Sequence, residues 1–268
     1  MLMSTHTDAG KHTIACGILR SLKRQGINVS PFKSVSIEKH TCKLSDGTEI
    51  SFAQALQAIA AGKAPRTEMN PYVALYDEHF TLIELGKRLV IRPHMIRDRK
   101  HYLAVIERAF KTVAMEAQLV IIEGSGSPVE LGLEGIDLAN IPTAIVADAK
   151  ILLITEMTYG GGYASVVGTW SLLPEDIRAR IVGIVLNKFD LKEPVEFAHK
   201  GVKRLSELLN LQVMTIPFFD ETYIPGDATQ HTVYYDELDN YTSEFNKLAD
   251  IIEERLNMNH LKSVLGIQ

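Results

Sequence analysis

The stretch STHTDAGKHT, Ser4 to Thr13, decides how the rest of this 268-residue chain is read. A phosphate-binding loop runs Gly, four residues, Gly-Lys, then Ser or Thr. Here the Gly10-Lys11 pair is present. Ser4, or the position beside it, stands where the first glycine belongs, and His12 stands where the magnesium-ligating hydroxyl belongs. The amides of a glycine-containing turn and of a helix start favour an anion, and a lysine there brings a mobile positive charge to a phosphate chain. Taken alone, the same residues also describe an ordinary helix start. Only MLM precedes the loop, where a strand of about five residues is usual; either the first strand is short or the natural start lies upstream.

Outward from the loop, Lys11–Gln25 places Ile14, Ile18, Leu19 and Leu22 on one face and predicts a helix. Ile27–Phe32, Ala117–Gly124, Thr143–Asp148, Lys150–Glu156, Ile181–Asn187 and Leu211–Pro217 are near-continuous apolar runs rich in β-branched residues. Such runs predict parallel strands covered on both faces. Helical stretches alternate with them: Ser51–Ala61, Lys100–Glu116, Gly162–Leu173, Pro194–Leu209 and a final helix over Asn240–Leu256 that packs on the sheet edge. The alternation predicts an α/β fold with a doubly wound, mostly parallel sheet, built as one domain over residues 1–268, with ligands at the carboxyl ends of the strands.

Composition narrows the function classes. The hydrophobic fraction of 46% and the charged fraction of 23% are those of an ordinary globular protein. A net charge of −5 and a pI near 6.0 lack the basic footprint of a nucleic-acid binder. Cys16 and Cys42 have no ligand spacing, Cys42 lying in what reads as a polar loop, and the scattered histidines do not spell a zinc site. The most apolar stretch, Ile141–Thr155, is broken by Asp148 and Lys150 and falls short of the ~20 residues a spanning helix needs. A soluble, cytoplasmic protein with no membrane or nucleic-acid partner is expected.

Chemistry-bearing residues recur at the predicted strand ends. Lys33 closes the second strand, Glu123 ends another and leads into the small-residue loop GSGS, Asn187-Lys188 ends a further one, and Pro217 ends the last. Groups at several strand ends of one sheet converge on one crevice. A carboxylate in the position of Glu123 is suited to Mg²⁺, directly or through water. The sequence NKFD, Asn187–Asp190, also spells a guanine-binding NKxD. The basic stretch RPHMIRDRK, Arg92–Lys100, reads as a solvated loop or as a flap near an anionic substrate.

The blocks TDAGKHT, PFK, DGTEISFAQALQAIAAG, MNPYVAL, IEGSGSPVELGLEGIDLAN, GTWSLLPEDIRARIVGIVLNKF and IPFFD carry a resemblance over about Ser4 to Pro217. The chain resembles the N-terminal synthetase domain of cobyric acid synthase, a relative of dethiobiotin synthetase. The resemblance implies a P-loop fold, ATP and Mg²⁺ as cofactors, and the phosphorylation of a substrate carboxylate followed by attack of ammonia to give an amide. It implies a polycarboxylate substrate of corrinoid type; with no glutaminase cysteine in the sequence, the ammonia is expected as free ammonium or from a separate glutaminase partner, and a homodimer is a further expected assembly. Thr5, Asp8, Ala9, Gly10, Lys11, His12 and Thr13 match the phosphate loop, and Lys33 matches the second-strand lysine that approaches the γ-phosphate. Glu49, Glu123 and Thr13 match metal positions. Asn187 matches an adenine-recognising asparagine, and Pro217 lies where backbone flanks the base. Gln54, Asn70, Ser127 and Glu130 match blocks facing the substrate.

The chain also departs from the family. His12 replaces a hydroxyl, and the family's KPQNM is KSVSI at Lys33–Ile37. The family's D-x-x-R-G-G loop is EMTYGGG, with Tyr159 for the arginine. Neither cysteine sits in the nucleophile pattern of the glutaminase domain that cobyric acid synthase carries. Two alternatives stand beside the amide ligase: a dethiobiotin-synthetase-like ligase, and a non-catalytic nucleotide-binding module with a degenerate loop.

Overall fold

The computed structural model describes every residue except 77–80, 91–97, 134, 159, 190–194, 219–223, 225–232, 236–237, 239–240 and 268. Tyr159, His79, His94, His231, Asp190 and most of the basic Arg92–Lys100 stretch therefore lie outside the described residues.

The apolar runs around the loop build one parallel array. The strand β1 (Leu2–Ser4) lies beside β10 (Ile151–Glu156), followed by β11 (Ile181–Phe189) and β12 (Val213–Pro217), all parallel. On its other side a single parallel bridge, Leu2 to Glu123, joins β1 to the pair β9 (Leu119–Ile122) and β2 (Val29–Phe32). The array follows from alternation in sequence. Leu2, Leu152, Ile154 and Val185 pack in the core on one face. Their neighbours Met3, Ile151, Leu153, Ile184 and Leu186 pack in the core on the other. Period-two side chains buried on both sides are what an interior parallel strand requires.

The helices α1 (Lys11–Arg24), α2 (Phe52–Ala60) and α8 (Thr242–Arg255) contribute to the first core through Ile14, Leu19, Leu56, Phe245 and Leu248. The helices α5 (Gly162–Leu172), α6 (Glu175–Arg178) and α7 (Val195–Leu209) contribute Val166, Ile177 and Leu205 to the second. The helix α3 (Arg99–Met115) packs Val105, Ile106, Ala109 and Val113 against Phe32 and Ile122. As expected for a doubly wound sheet, helices cover both faces, and α8 lies against α1 and the edge strand β12.

Two expectations are corrected and two elements are added. Thr143–Asp148 is not a strand. It belongs to α4 (Ile141–Val146), where Pro142 stands at the helix start and Ile145 is exposed. A proline that cannot donate is tolerated in a first helical turn, and the run has only one face to bury. Cys42 lies not in a polar loop but buried in β4 (Thr41–Lys43), antiparallel to β5 (Glu49–Ser51) around the Asp46-Gly47 turn and parallel to β13 (Val233–Tyr234). A further mixed sheet, β3 (Val35–Glu38), β6 (Tyr72–Leu75), β7 (Thr81–Glu84) and β8 (Lys87–Val90), occupies residues to which the sequence reading assigns no strand. Its β7–β8 hairpin turns on Leu85 and Gly86, both left-handed at φ 46° and 77°, the conformation a two-residue hairpin loop demands. Finally, a short helix α9 (Met258–Val264) follows α8.

Candidate functional site

The site begins where β1 ends. Asp8 and Gly10 adopt left-handed backbone, φ 61° and 89°, which aspartate and glycine tolerate better than most residues. A Cβ on Gly10 would fall 2.1 Å from Nδ2 of Asn187, so close approach as well as φ requires glycine. Gly10 caps α1 without a side-chain hydrogen bond, which leaves the first-turn amides and the helix dipole to an anion. By contrast α2 is capped by Ser51, whose side chain accepts from the Gln54 amide. Lys11, the first residue of α1, is buried; its Nζ donates to Ser4 Oγ at 2.6 Å and lies 3.5 Å from the Gly126 carbonyl. The serine that replaces the first loop glycine thus holds the loop lysine.

Next to this loop lies a buried polar cluster. Lys33, just past the end of β2, donates from Nζ to Oε1 of Glu123 at 2.8 Å, and Glu123 is 4% exposed. Gln57 on α2 donates from Nε2 to Glu123 Oε2 and to Nδ1 of His12, the latter at 3.1 Å. His12 Nδ1 and Glu123 Oε2 are 3.9 Å apart. Burial by itself raises the carboxyl of Glu123, but the charge of Lys33, that of His12 when it is protonated, the Lys33 hydrogen bond and the charge of Lys11 outweigh it and hold that carboxyl below its ordinary range. Glu123 is therefore an anion ringed by cationic and donor groups, a setting that also attracts phosphate. Burial first, and Glu123 second, push the Cys16 thiol well above its usual value, so it stays a neutral thiol.

Lys11, His12, Lys33 and Glu123 meet here, and Asn187 joins the loop from β11, donating from Nδ2 to the Ala9 carbonyl at 2.9 Å. Thr5 lies 2.9 Å, hydroxyl to hydroxyl, from Thr155 on β10, and Thr13 follows His12 half-buried. Pro217 ends β12 opposite Phe189. Gln54 is fully buried and reaches the cluster through Gln57 Oε1 at 3.4 Å. Asn70 braces the frame: it donates to the Lys33 carbonyl at 2.8 Å and accepts from the Ser51 amide at 3.0 Å. Glu49 has a separate set of contacts, its carboxylate gripped by the Arg88 guanidinium through two bonds of 2.9 Å and by Thr41 at 2.5 Å. Ser127 is buried in the loop after Glu123, which Asn140 straps by donating to the Ser125 carbonyl at 2.6 Å, and Glu130 is exposed. Sequence reasoning passed over Gln57 and Gly126; the signal for Gln57 was its i, i+3 spacing from Gln54 on an otherwise Ala/Leu helix.

Mg²⁺ takes oxygen ligands in near-octahedral geometry. Among the described residues this pocket offers one carboxylate, Glu123, which suits that ion, and an imidazole, His12, where the loop hydroxyl would stand, which suits it poorly. Among the described residues, no three or more His, Cys, Asp or Glu groups gather into a metal site, and no helix is long and apolar enough to cross a membrane.

The family model described as CobQ/CobB/MinD/ParA nucleotide binding domain matches residues 1–226. The chain is 33% identical over 227 residues to a probable cobyric acid synthase of Methanosphaera stadtmanae, an alignment that covers 83% of this chain and 45% of that protein. It is 33% identical over 225 residues to the cobyric acid synthase of Clostridium perfringens, covering 82% and 46%. The chain thus spans about half the length of the curated relatives it matches. Among solved structures it is similar to the MinD cell division protein of Aquifex aeolicus, at 12% identity and a TM-score of 0.48, covering 100% of this chain and 96% of that one. It is also similar to cobyrinic acid a,c-diamide synthase of Mycobacterium smegmatis with bound ATP analog and magnesium, at 13% identity and a TM-score of 0.43, covering 82% and 88%.

Proposed function

The chain belongs to the CobQ/CobB/MinD/ParA nucleotide-binding family, and on that premise we propose that it uses ATP to activate a carboxylate of a corrinoid-type polycarboxylate and converts the acyl phosphate to an amide. The observation that carries this reading is the meeting of two lysines from different elements, Lys11 of the loop and Lys33 at the end of β2, beside the buried Glu123. The relatives named cobyric acid synthase support the corrinoid class of substrate.

A carboxylate is a poor electrophile, and phosphorylation gives it a leaving group. In the first step a substrate carboxylate oxygen attacks the γ-phosphorus; the new O–P bond forms as the bond to the β,γ-bridging oxygen breaks, and ADP leaves with that electron pair. Lys11, the loop amides and the start of α1 hold the phosphate oxygens. Lys33, kept in place by Glu123, neutralises the transferring phosphoryl group and orients the carboxylate. In the second step the lone pair of ammonia attacks the acyl carbon, phosphate departs, and the nitrogen releases a proton to it or to water. Of the donors here Glu123 suits the Mg²⁺ that the resemblance implies and His12 suits it poorly, and the steps above rest on the chain's own groups.

The test is release of ADP and phosphate from ATP with a corrinoid polycarboxylate and ammonium, run with Mg²⁺ and with Mn²⁺, and trapping of the acyl phosphate by hydroxylamine. Lys33→Ala is expected to lower kcat at least ~100-fold while ATP still binds, and Lys11→Ala to weaken ATP at least ~10-fold. Turnover that ignores the carboxylate, or no turnover at all while ATP binds, would leave a nucleotide-binding module in place of a ligase.

A further inference from the structure

The pocket in which the imidazole of His12 stands for a Mg²⁺-ligating hydroxyl has the makings of a site for a different metal. We propose that His12 Nδ1 and Glu123 Oε2, together with a nucleotide's phosphate oxygens, hold a divalent first-row transition-metal ion, Mn²⁺, Co²⁺ or Zn²⁺, in preference to Mg²⁺. The inference rests on the nucleotide-binding reading of the loop.

Three observations carry it. First, the two atoms are 3.9 Å apart, and two ligands of one such ion, at about 2.1 Å each, lie at most about 4.2 Å apart. Second, both atoms already aim at one point. The Nε2 of Gln57 donates to each of them. An amide nitrogen can only donate, so the imidazole lone pair and a carboxylate lone pair converge on it. A group with partly positive hydrogens fills the place a cation would take. Third, the displaced amide has somewhere to go. Gln57 Oε1 accepts from Gln54 Nε2 at 3.4 Å. The Oε1 of that same Gln54 is buried and has no hydrogen-bond partner among the described residues. A buried acceptor left unsatisfied costs about 1–3 kcal/mol, and the NH₂ of Gln57, turned away from the ion, satisfies it.

The choice of ion follows from the donors. Imidazole binds Mn²⁺ and the later 3d ions, whereas Mg²⁺ favours oxygen and keeps its waters. The side chains of His12 and Glu123 are only 13% and 4% exposed, which leaves little room for a retained hydration shell. No third His, Cys, Asp or Glu gathers with them among the described residues, so the remaining positions fall to phosphate oxygens, as in other phosphate-bridged sites.

The experiment uses the full chain with ADP. Mn²⁺ is titrated by its electron paramagnetic resonance signal, with and without competing Mg²⁺, against ADP alone as reference. Pulsed resonance on the bound ion reads its nitrogen coupling. The expected result is a Mn²⁺ preference over Mg²⁺ at least ~10-fold beyond that of ADP alone, with a nitrogen coupling that disappears in His12→Ser. That variant restores the hydroxyl of an ordinary loop and is expected to lose the excess preference. A wild-type preference equal to that of ADP alone, or a bound Mn²⁺ without nitrogen coupling, would overturn the inference while leaving nucleotide binding intact. A nitrogen coupling that persists in His12→Ser would overturn the assignment of the ligand. If the variant fails to fold, the wild-type coupling decides. Failure of ADP to bind with any ion would overturn the reading of the loop, and this inference with it.

Discussion

Asn187 shows how much work a single side chain does at the end of a strand. Its amide donates to the Ala9 carbonyl at 2.9 Å and leaves no room for a Cβ on Gly10, so it fixes the shape of the phosphate loop from outside. The resemblance assigns it to adenine. The geometry adds a second role that does not involve a base. Asn187→Ala is expected to weaken inorganic tripolyphosphate as well as ATP, each by roughly 10-fold, since removing the donor leaves a buried carbonyl unpaired at about 1–3 kcal/mol. Titration calorimetry with both ligands separates the roles: a loss for ATP with tripolyphosphate unchanged would mean that Asn187 reads only the base. At this scale Lys11, Lys33, Glu123 and Asn187 were legible because strand ends of a parallel sheet point at one crevice. Gln57 was not, because which residue of an amphipathic helix meets a strand end depends on where that helix docks.

Among the elements, α1 is the one that ties the loop to the core. It starts at Lys11 and is crossed by α8, with Gly17 at the crossing. A Cβ there would lie 2.5 Å from Ile252 Cγ1 and 3.2 Å from the Leu248 carbonyl. On helix propensity alone Gly17→Ala gains about 1 kcal/mol. The side chain of Ile252 can give way, but the α8 backbone is held, and overpacking a filled contact costs about 1–3 kcal/mol. The expected outcome is a net loss of stability, read as a lower urea midpoint at unchanged slope; a raised midpoint would show that α8 yields at this crossing. The long helices were legible from their periodicity. The hairpins β4–β5 and β7–β8 were not, because their strands of three or four residues carry too little pattern to separate from loop. Ile141–Val146 misled for the opposite reason: a short apolar run reads alike as a buried strand or a helix until its neighbours decide which face is covered.

For the molecule as a whole, the amide-forming activity proposed above requires a nitrogen source, and the cysteines bear on which. It has two cysteines, both buried. Cys16 sits in α1 with its thiol pushed up by burial and by Glu123, and Cys42 is enclosed in β4. Neither is an accessible thiolate, the species that attacks an amide. With the purified 268-residue chain, ammonium is expected to support carboxylate-dependent release of ADP, and glutamine alone to be inert. A coupled assay for ADP run beside one for glutamate checks this, and glutamate formed from glutamine by this chain alone would contradict it.

The sequence by itself determined the loop, the parallel strands and the helices between them, because each is written in local order: a glycine where φ must be positive, apolar residues at every position of a strand covered twice, apolar residues every third or fourth on a helix. Only the tertiary structure decided which of the candidate groups meet. Lys33 and Glu123 are ninety residues apart in sequence, and Gln57 and His12 forty-five; they touch because β2 pairs with β9 and because α2 is laid against α1. Glu49, equally acidic and equally well placed in sequence, is drawn instead to Arg88 by a hairpin that no local pattern announced. Pairing between distant strands is settled by burial summed over the whole core, and that sum is not contained in any one stretch of chain.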